Sequence, residues 1–261
     1  MRREFTFLLA LWKANIQAAM EFRATFISQV IGMVLNNGVY FLIWVIFFDR
    51  FKQIRGWGLQ EMFLLFGVVA AGYGLAAFFF GNAFFIADIV AKGQLDYYLS
   101  FPRPVLIHTL ASRSVSSGLG DFTYGIMSFI LARQFFPGIM LRFILGAFLS
   151  MIIFISFLVL VQSLAFWMGN AQMVSGQAQN ALLTFALYPI NLFEGSAKFL
   201  LFTVIPAAFV GAVPAQFIRS FSWETFLELL AAALVLLLLA VFAFQRGLRR
   251  YESGSAIQPQ A

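Results

Sequence analysis

Long uncharged runs separated by short charged segments dominate this chain and predict membrane-spanning helices. Three of the runs contain no charged residue: 24–48, 62–87 and 143–168. A helix needs about 20 apolar residues to cross a hydrocarbon core about 30 Å thick. Each run is long enough, so we predict one span in each.

Two further runs each contain a single carboxyl group. Residues 114–132 include Asp121, and residues 225–245 include Glu228 near one end. One ionisable residue is unfavourable inside a bilayer, but an otherwise apolar helix tolerates it. We therefore predict a span in each of these runs as well.

The region 171–218 is too long for one helix and is broken by Pro189, Pro206 and Pro214. Proline removes a backbone donor and interrupts a helix. We predict a fifth span over residues 172–193, followed by two short re-entrant helices around Ile205-Pro206. Irregular backbone at membrane depth is tolerated only where protein or a water-filled cavity covers it.

The first 23 residues show a different, amphipathic pattern. Apolar side chains recur at helical spacing, while polar ones form another stripe; the apolar set is Phe5, Leu8, Trp12, Ile16 and Ala19. This spacing is typical of a helix lying in the membrane interface. The alternative is a frayed beginning of the first span.

These elements predict an all-α, polytopic membrane protein with six transmembrane helices. An N-terminal interfacial helix precedes them, and re-entrant helices lie between spans five and six. One transmembrane domain is expected over residues 1–251. Residues 252–261 are rich in Ser, Gly, Gln and Pro and predict a disordered tail.

Composition excludes a water-soluble globular protein. Hydrophobic residues make up 62% of the chain and charged residues 11%, whereas soluble domains average about 45–50% and about 25%. The net charge of +6 comes from Lys and Arg scattered between apolar blocks. That distribution indicates membrane-flanking charge and no nucleic-acid partner.

Six crossings would put both termini on one side, and the cationic residues favour the cytoplasm for that side. The terminal side would hold ten of them: Arg2, Arg3, Lys13, Arg23, Lys92, Arg103, Arg113, Arg246, Arg249 and Arg250. The other side would hold seven: Arg50, Lys52, Arg55, Arg133, Arg142, Lys198 and Arg219. Cytoplasmic loops carry the excess of Lys and Arg.

The residues predict no catalytic site and no metal site in this chain. A phosphate-binding loop needs Gly-rich backbone followed by Lys and Ser or Thr, and that pattern is missing from the sequence. His108 is the single histidine, without a neighbouring second ligand. We expect it to lie on the surface near the membrane. Asp121, Glu194 and Glu228 fall on different predicted elements, so no carboxylate pair is expected.

Several polar residues, Tyr188 among them, are candidates for a pathway or a subunit interface. Asn36 and Asn37 lie midway along the first span, where amides either line a path or bond across helices. Gln172, Ser175 and Gln179 are spaced as one polar stripe, which either faces a cavity or lies outside the bilayer.

Glu194 has two interpretations. Lys198 follows it by four residues, so the two side chains are spaced for an ion pair near the outer surface. Alternatively, Glu194 belongs to the gate region of a pathway.

The segment Gly93-Gln94-Leu95-Asp96-Tyr97-Tyr98-Leu99-Ser100-Phe101-Pro102 resembles the cytoplasmic loop of ABC-2-type transporter permeases. That loop commonly reads Gly, one residue, Leu, Asp, two residues, Leu, two residues, Pro. The family also has an N-terminal interfacial helix, six spans and re-entrant helices before the sixth. The residues Tyr188-Pro189, Ile205-Pro206 and Pro214 resemble the branch whose permeases work beside a second, different permease.

The loop residues themselves predict what this segment could do. A short helix around residues 91–99 would place Leu95 and Leu99 on one face, able to dock in a groove of a cytosolic protein. Asp96 would cap that helix or pair with an Arg of the partner. The alternative is an ordinary solvated loop in which Pro102 and Pro104 end a helix.

The resemblance implies a permease subunit of an ATP-driven exporter in the bacterial inner membrane. It implies that a separate ATP-binding subunit holds ATP and Mg²⁺, with this chain binding no cofactor. It also implies a second permease, identical or related, and contact with membrane lipid. The loop would couple the chain to the ATPase through Gly93, Leu95, Asp96, Leu99 and Pro102.

Two other classes of function remain as alternatives. A self-sufficient secondary transporter or channel would need ion-coupling carboxylates deep in several spans. Asp121 and Glu228 are the candidates, and both are expected near span ends. An intramembrane enzyme or assembly scaffold would need His, Asp or Glu side chains that converge within the bilayer, and the sequence shows none.

Overall fold

The computed structural model describes residues 2–133, 136–168 and 171–252. They form helices joined by short turns, without a named strand among them. Of the predicted disordered tail, all but Glu252 lies outside the described residues. The helices are α1 (Arg2–Glu21), α2 (Arg23–Arg50), α3 (Leu59–Phe79), α4 (Ile86–Ala91), α5 (Leu95–Leu99), α6 (Val105–Ala111), α7 (Ser117–Leu131), α8 (Pro137–Gln162), α9 (Gln172–Ala186), α10 (Gly195–Thr203), α11 (Ala207–Val210), α12 (Ala212–Arg219) and α13 (Trp223–Leu248).

The N-terminal helix α1 is separate from the first long helix. The two meet at Phe22, whose backbone leaves the helical region (φ −105°, ψ 69°). The Trp12 indole nitrogen donates to the carbonyl of Phe79 at 2.8 Å, and the Asn15 amide donates to the carbonyl of Ala111 at 3.2 Å. These bonds attach α1 to the bundle, whereas its place in a membrane interface stays a prediction.

Four segments are long and apolar enough to cross a membrane: α2, α3, Pro137–Phe166 and α13. They establish a polytopic all-α membrane protein. The second span is shorter than the sequence predicted, because α3 ends at Phe79 and a 3₁₀ turn, Gly81–Phe84, follows it. The Gly81 amide donates to the carbonyl of Arg113 at 2.9 Å, and a Cβ at Gly81 would lie 2.7 Å from that oxygen. This close approach turns the chain before residue 87.

Helix α7 is short, yet it runs beside α3 over nearly its whole length. At one end the Val115 amide donates to the carbonyl of Ala77 at 3.0 Å. At the other the Ser128 hydroxyl donates to the carbonyl of Phe63 at 2.8 Å. Residues 115–128 therefore cover the same depth as residues 63–77, in the opposite direction.

Helix α9 covers a similar depth. Gln172 donates to Asp88, which lies beyond the last turn of α3. Nineteen residues later, the carbonyl of Asn191 accepts from Arg55, which lies before the first turn of α3. Segment 172–191 thus runs from one end of α3 to the other.

Between α9 and α13 the chain forms the short helices α10, α11 and α12. The axis bends by 62° between α10 and the α11–α12 segment, as in a broken span or a re-entrant loop. Residues of α11 and α12 are buried, and the Ser150 hydroxyl of α8 donates to the carbonyl of Val210 at 2.8 Å. By length and composition the described helices provide four spans, or five with this pair, so six crossings stay a prediction.

Ion pairs mark the two ends of the bundle. At the end that carries α1 and the last turn of α13, here called the terminal end, Arg103 pairs with Glu4 at 3.0 Å. At the opposite, distal end Arg55 pairs with Glu194. The predicted pairing of Glu194 with Lys198 is therefore wrong. Glu194 is extended (φ −131°, ψ 162°) and lies before α10, so helical i, i+4 spacing does not apply.

Candidate functional site

Residues 92–104, here called the knob, project from the terminal end of the bundle. The knob begins with a turn at Gly93 (φ +69°), where the Gln94 amide donates to the carbonyl of Ile89 at 3.0 Å. A positive φ is favourable for glycine and ends the helix. The single helix predicted around residues 91–99 is consequently two helices, α4 and α5.

The two leucines of the knob have different environments, which corrects the prediction that they share one exposed face. Leu95 is completely buried, whereas Leu99 is 44% exposed. Leu95 begins α5 against the bundle, and Leu99 ends it one turn further out. Tyr97 and Phe101 are exposed with Leu99, and the exposed Pro102 follows them. The available docking residues are therefore Tyr97, Leu99 and Phe101, and Leu95 supports them from below.

Asp96 has a neighbour within the chain. The buried hydroxyl of Tyr251 lies beside the Asp96 carboxylate and the first backbone amides of α5. Burial, followed by the negative charge of Asp96, raises the pKa of Tyr251 to about 12. Because Tyr251 lies three residues after the end of α13, this contact joins the knob to the end of the last helix.

His108 lies inside the terminal end, so the prediction of a surface histidine is wrong. It is 4% exposed, and its ring packs edge-on against three aromatic rings at centroid distances of 5.1–5.2 Å: Phe7, Tyr98 and Phe101. Phe101 and Tyr98 precede His108 by seven and ten residues and Phe7 precedes it by 101, so helical spacing gave no signal for this cluster. These rings attach the knob to α1 and α6.

Charged neighbours of His108 modify its protonation. Burial lowers the pKa of His108, the nearby Arg103 guanidinium lowers it further, and Glu4 opposes both. Arg103 also lies over the ring of Phe7, 3.8 Å from its centroid. The neutral imidazole is thus the form that this packing favours.

The two asparagines in the middle of α2 have different environments. The Asn37 amide donates to Asp121 Oδ1 at 2.7 Å, whereas Asn36 is exposed on the outer side of α2. Asp121 is 3% exposed, and its Oδ2 has no hydrogen-bond partner within the described residues. A Cβ at Gly120 would lie 2.5 Å from the carbonyl of Val30, so glycine there allows α2 and α7 to approach.

The depth of Asp121 differs from the prediction. Asn37 is halfway along α2, and Asp121 is its hydrogen-bond partner. Asp121 therefore lies level with the middle of the first span and not near the end of a span. The position of Asp121 near the beginning of α7 was misleading, because the chain already runs beside α3 at Val115, before α7 begins.

The polar stripe predicted on the fifth span does not face one surface. Ser175 is buried and donates to the carbonyl of Val161 at 3.0 Å, Gln172 is exposed and bonds Asp88, and Gln179 is half-buried. Another stripe with helical spacing is exposed instead: Gln177, Asn180, Thr184 and Tyr188. The sequence contained this signal five residues out of register with the stripe that was predicted.

Helices α2 and α9 together form an exposed surface that we call the polar face. Asn36 and Tyr40 contribute from α2, and the others are Gln177, Asn180 and Thr184 of α9 and Tyr188, just after α9. Trp44 joins the two columns, since its ring lies 5.7 Å from that of Tyr188. Amides exposed at membrane depth are unfavourable against lipid and are typical of a surface covered by protein or water. Glu194 lies outside the polar face, in its ion pair at the distal end.

No group of three or more His, Asp or Glu side chains that could hold a metal ion occurs among residues 2–133, 136–168 and 171–252.

Comparison with models of known families gives a match. A family model described as ABC-2 family transporter protein matches residues 34–255. No curated protein and no solved structure matches the chain. The matched range includes the knob, the polar face and every helix after α1 except the first turns of α2. The chain therefore belongs to the ABC-2 family of transporter proteins, as a multi-pass membrane subunit.

Proposed function

We propose that this chain is the permease subunit of an ATP-driven exporter and that it docks a separate ATP-binding subunit through the knob. The observation that carries this proposal is the exposure of Tyr97, Leu99 and Phe101 on a rigidly supported projection. Exposed apolar and aromatic side chains on a short helix suit a groove in a partner protein. ATP and Mg²⁺ would bind to that partner.

The knob is attached to several helices, which suits it to transmit movement. Residue Arg103 pairs with Glu4 of α1, and His108 of α6 packs against Phe101. Asp96 lies beside Tyr251 at the end of α13. Closure of two ATP-binding subunits would push the knob and α1 together and so move the spans.

The polar face supports a second permease, identical or related, as a partner. Helix α2 buries only Phe41 and Trp44 along its 28 residues. Its exposed Asn36 and the amides of α9 require either a protein surface or water at membrane depth. A second bundle placed there would cover these groups, and a path for substrate between the two bundles would use them.

The distribution of charge supports an orientation in the membrane. Exposed cations lie at the terminal end near α1 and the last turn of α13, among them Arg3, Lys13, Arg246 and Arg249. The excess of Lys and Arg favours the cytoplasm for this end. In a bacterial inner membrane, the knob would then face the cytosolic ATPase.

Affinity purification tests the proposal directly. The tagged chain is extracted in mild detergent together with whatever binds it, the proteins are identified by mass spectrometry, and ATP hydrolysis is measured. We expect an ATP-binding subunit to accompany the wild type and Phe51→Asp, but not Leu99→Asp. Phe51 is the matched control because it is an exposed apolar residue of the distal end. Retention of the ATPase by Leu99→Asp would remove the docking role from the knob.

Asp121 favours a second candidate function, that of a self-sufficient proton-coupled transporter. A buried carboxyl at mid-depth with one unpartnered oxygen is typical of ion-coupling sites in membranes. Glu228, the other acidic residue of a predicted span, is exposed near the distal end of α13. Vesicles containing the purified chain and a trapped pH-sensitive dye separate the two functions. Proton uptake by the wild type without ATP, lost in Asp121→Asn, would favour the second candidate.

A further inference from the structure

A cavity of about 870 Å³ lies beneath α1, on helices that the permease proposal does not use for docking. Side chains from α1, α3, α6, α8 and α13 form its walls, and they are almost all apolar: among them are Trp12, Phe79, Leu110, Ile155, Leu237 and Leu248. Small-molecule sites in proteins have volumes of about 300–1,000 Å³ and mostly apolar walls. The cavity is therefore large enough for a substantial part of an amphipathic molecule.

The depth of the cavity corresponds to one leaflet of a bilayer. Its wall on α13 extends from Leu237 to Leu248, eleven residues further along. Eleven residues of helix rise about 16 Å, which is close to half of a hydrocarbon core about 30 Å thick. Helix α1 closes the cavity near the terminal end, where Trp12 bonds the last residue of α3.

One polar atom in the wall has no partner. Ser156 is 1% exposed and lines the cavity, and its hydroxyl makes no hydrogen bond to any described residue. A serine within a helix commonly bonds the carbonyl four residues earlier, so a free hydroxyl here is a donor left for a ligand. The ring of Phe154 contacts those of Tyr73 and Phe84, which places Ser156 near the level of the last turn of α3.

Basic residues of the terminal end, here called the rim, flank in sequence the residues that line the cavity. Four exposed cations each adjoin in sequence a residue that lines the cavity: Arg3, Lys13, Arg246 and Arg249. None of the four forms an ion pair within the described part of the chain. Glu4, the acidic residue of the wall, is already paired with Arg103. The charge left at the rim suits an anionic headgroup.

We propose that this cavity holds an acyl chain of an anionic phospholipid from the surrounding bilayer. The chain lies between α1 and the spans, an ester oxygen accepts from Ser156, and the headgroup lies among the cations of the rim. Bound in this way, the lipid fills the space that separates α1 from α3, α8 and α13. The site does not depend on the ATP-binding subunit or on the transported substrate.

Retention of defined lipids tests the proposal. The purified chain is reconstituted in vesicles made of equal parts phosphatidylethanolamine and phosphatidylglycerol, then transferred to detergent. Native mass spectrometry counts the phospholipids that remain on each chain. We expect the wild type to keep one phosphatidylglycerol. A wild-type chain that retains no lipid, or retains both lipids equally, overturns the assignment.

Two substitutions fill the cavity from different walls: Ile155→Trp on α8 and Val241→Phe on α13. We expect each to lower the lipid-bound fraction about tenfold, which corresponds to about 1.4 kcal/mol. Ile144→Trp is the matched control, since Ile144 lies on the outer surface of α8, 56% exposed. If Ile155→Trp does not fold, the lipid retention of Val241→Phe alone tests the proposal. Equal retention by the control and the filled variants contradicts the proposal.

The rim has a test of its own. Arg246→Glu combined with Arg249→Glu should remove the preference for phosphatidylglycerol, while Lys198→Glu at the distal end should leave it unchanged. A preference that survives the double reversal refutes the headgroup position. If lipid-free wild type forms dimers that Ile155→Trp separates, a second copy of the chain occupies the cavity, and the lipid proposal fails.

Discussion

The knob and the polar face expose side chains of opposite character, each unsuited to its surroundings. The knob presents Tyr97, Leu99 and Phe101 beyond the spans, where water is expected, whereas the polar face presents amides at membrane depth. Apolar groups in water and amides in lipid both gain from being covered. The difference indicates two different partners, a water-soluble protein for the knob and a membrane protein for the polar face.

The two regions also differ in how they are supported. Beneath the knob, Leu95 and His108 are buried, and an ion pair joins Arg103 to α1. In the polar face Trp44 contacts Tyr188, and behind it α2 packs on α7, where Asn37 bonds Asp121. In both regions, substitution of a buried supporting residue should therefore impair folding, whereas substitution of an exposed residue should impair only the binding of a partner.

The largest effect is expected inside the knob. Leu95→Asp places an unpaired carboxylate at a completely buried position and should cost several kcal/mol of stability. Leu99→Asp, one turn away and exposed, should change stability by no more than about 0.5 kcal/mol while it removes the ATPase. Thermal unfolding in detergent, followed by fluorescence, measures the stability of both variants. Equal destabilisation would mean that Leu99 also supports the fold.

The second effect concerns the helices that join the two regions. A Cβ at Gly74 would lie 2.5 Å from the carbonyl of Gly118 and the amide of Phe122. Gly74→Leu should therefore separate α3 from α7 and cost about 1–3 kcal/mol or more. Gly32→Leu on α2 is the control, because nothing lies within 4 Å of a Cβ there. The same unfolding measurement applies, and a stable Gly74→Leu variant would argue against tight packing of the two helices.

The third effect separates the two asparagines of α2. Asn37→Leu leaves the buried Asp121 without its donor and should cost about 1–3 kcal/mol. Asn36→Leu removes no hydrogen bond found in the described structure and should leave the stability of the single chain unchanged. It should, however, weaken association with a second permease, measured by the size of the purified complex. If Asn36→Leu assembles normally, the polar face is not the permease interface.

The smallest effect is a pH dependence of the terminal end. The pKa of His108 is lowered by burial, so protonation opposes folding. Stability is present above the ordinary histidine pKa of about 6.5 and is lost progressively as the pH falls below it. His108→Phe should remove this dependence between pH 7.5 and about 5.5, since the ring contacts remain. The melting temperatures of wild type and variant are measured at these pH values. The same dependence of melting temperature on pH in both proteins would contradict the prediction.

Run length and composition predicted the long helices correctly, because the formation of a long apolar helix depends on local sequence alone. The uncharged run 24–48 predicted α2, and residues 143–168 predicted most of α8. The corrections concern side-chain direction, which depends on packing between distant segments. Periodicity could not show that Leu95 points into the bundle, that His108 enters a ring cluster shared with Phe7, or that Arg55 reaches Glu194.

The register of the polar stripe illustrates the same limit. Gln172, Ser175 and Gln179 have the correct helical spacing, as do Gln177, Asn180 and Thr184. Which stripe is exposed depends on the face of α9 that packs on α8, and Ser175 is on that face. Sequence spacing identifies a stripe, but the neighbouring helix selects the one that stays accessible.

The glycine contacts between α3 and α7 determine how a displacement would travel through the molecule. A Cβ at Gly118 would lie 2.8 Å from the carbonyl of Gly74, and one at Gly125 would lie 2.7 Å from the amide of Ala71. Backbones this close have no side chains between them to rearrange, so α3 and α7 should move together as one rigid unit. This unit continues at one end into α4 and the knob, and Asp121 connects its middle to α2. A displacement of the knob would therefore move the first span as a rigid body, without bending it.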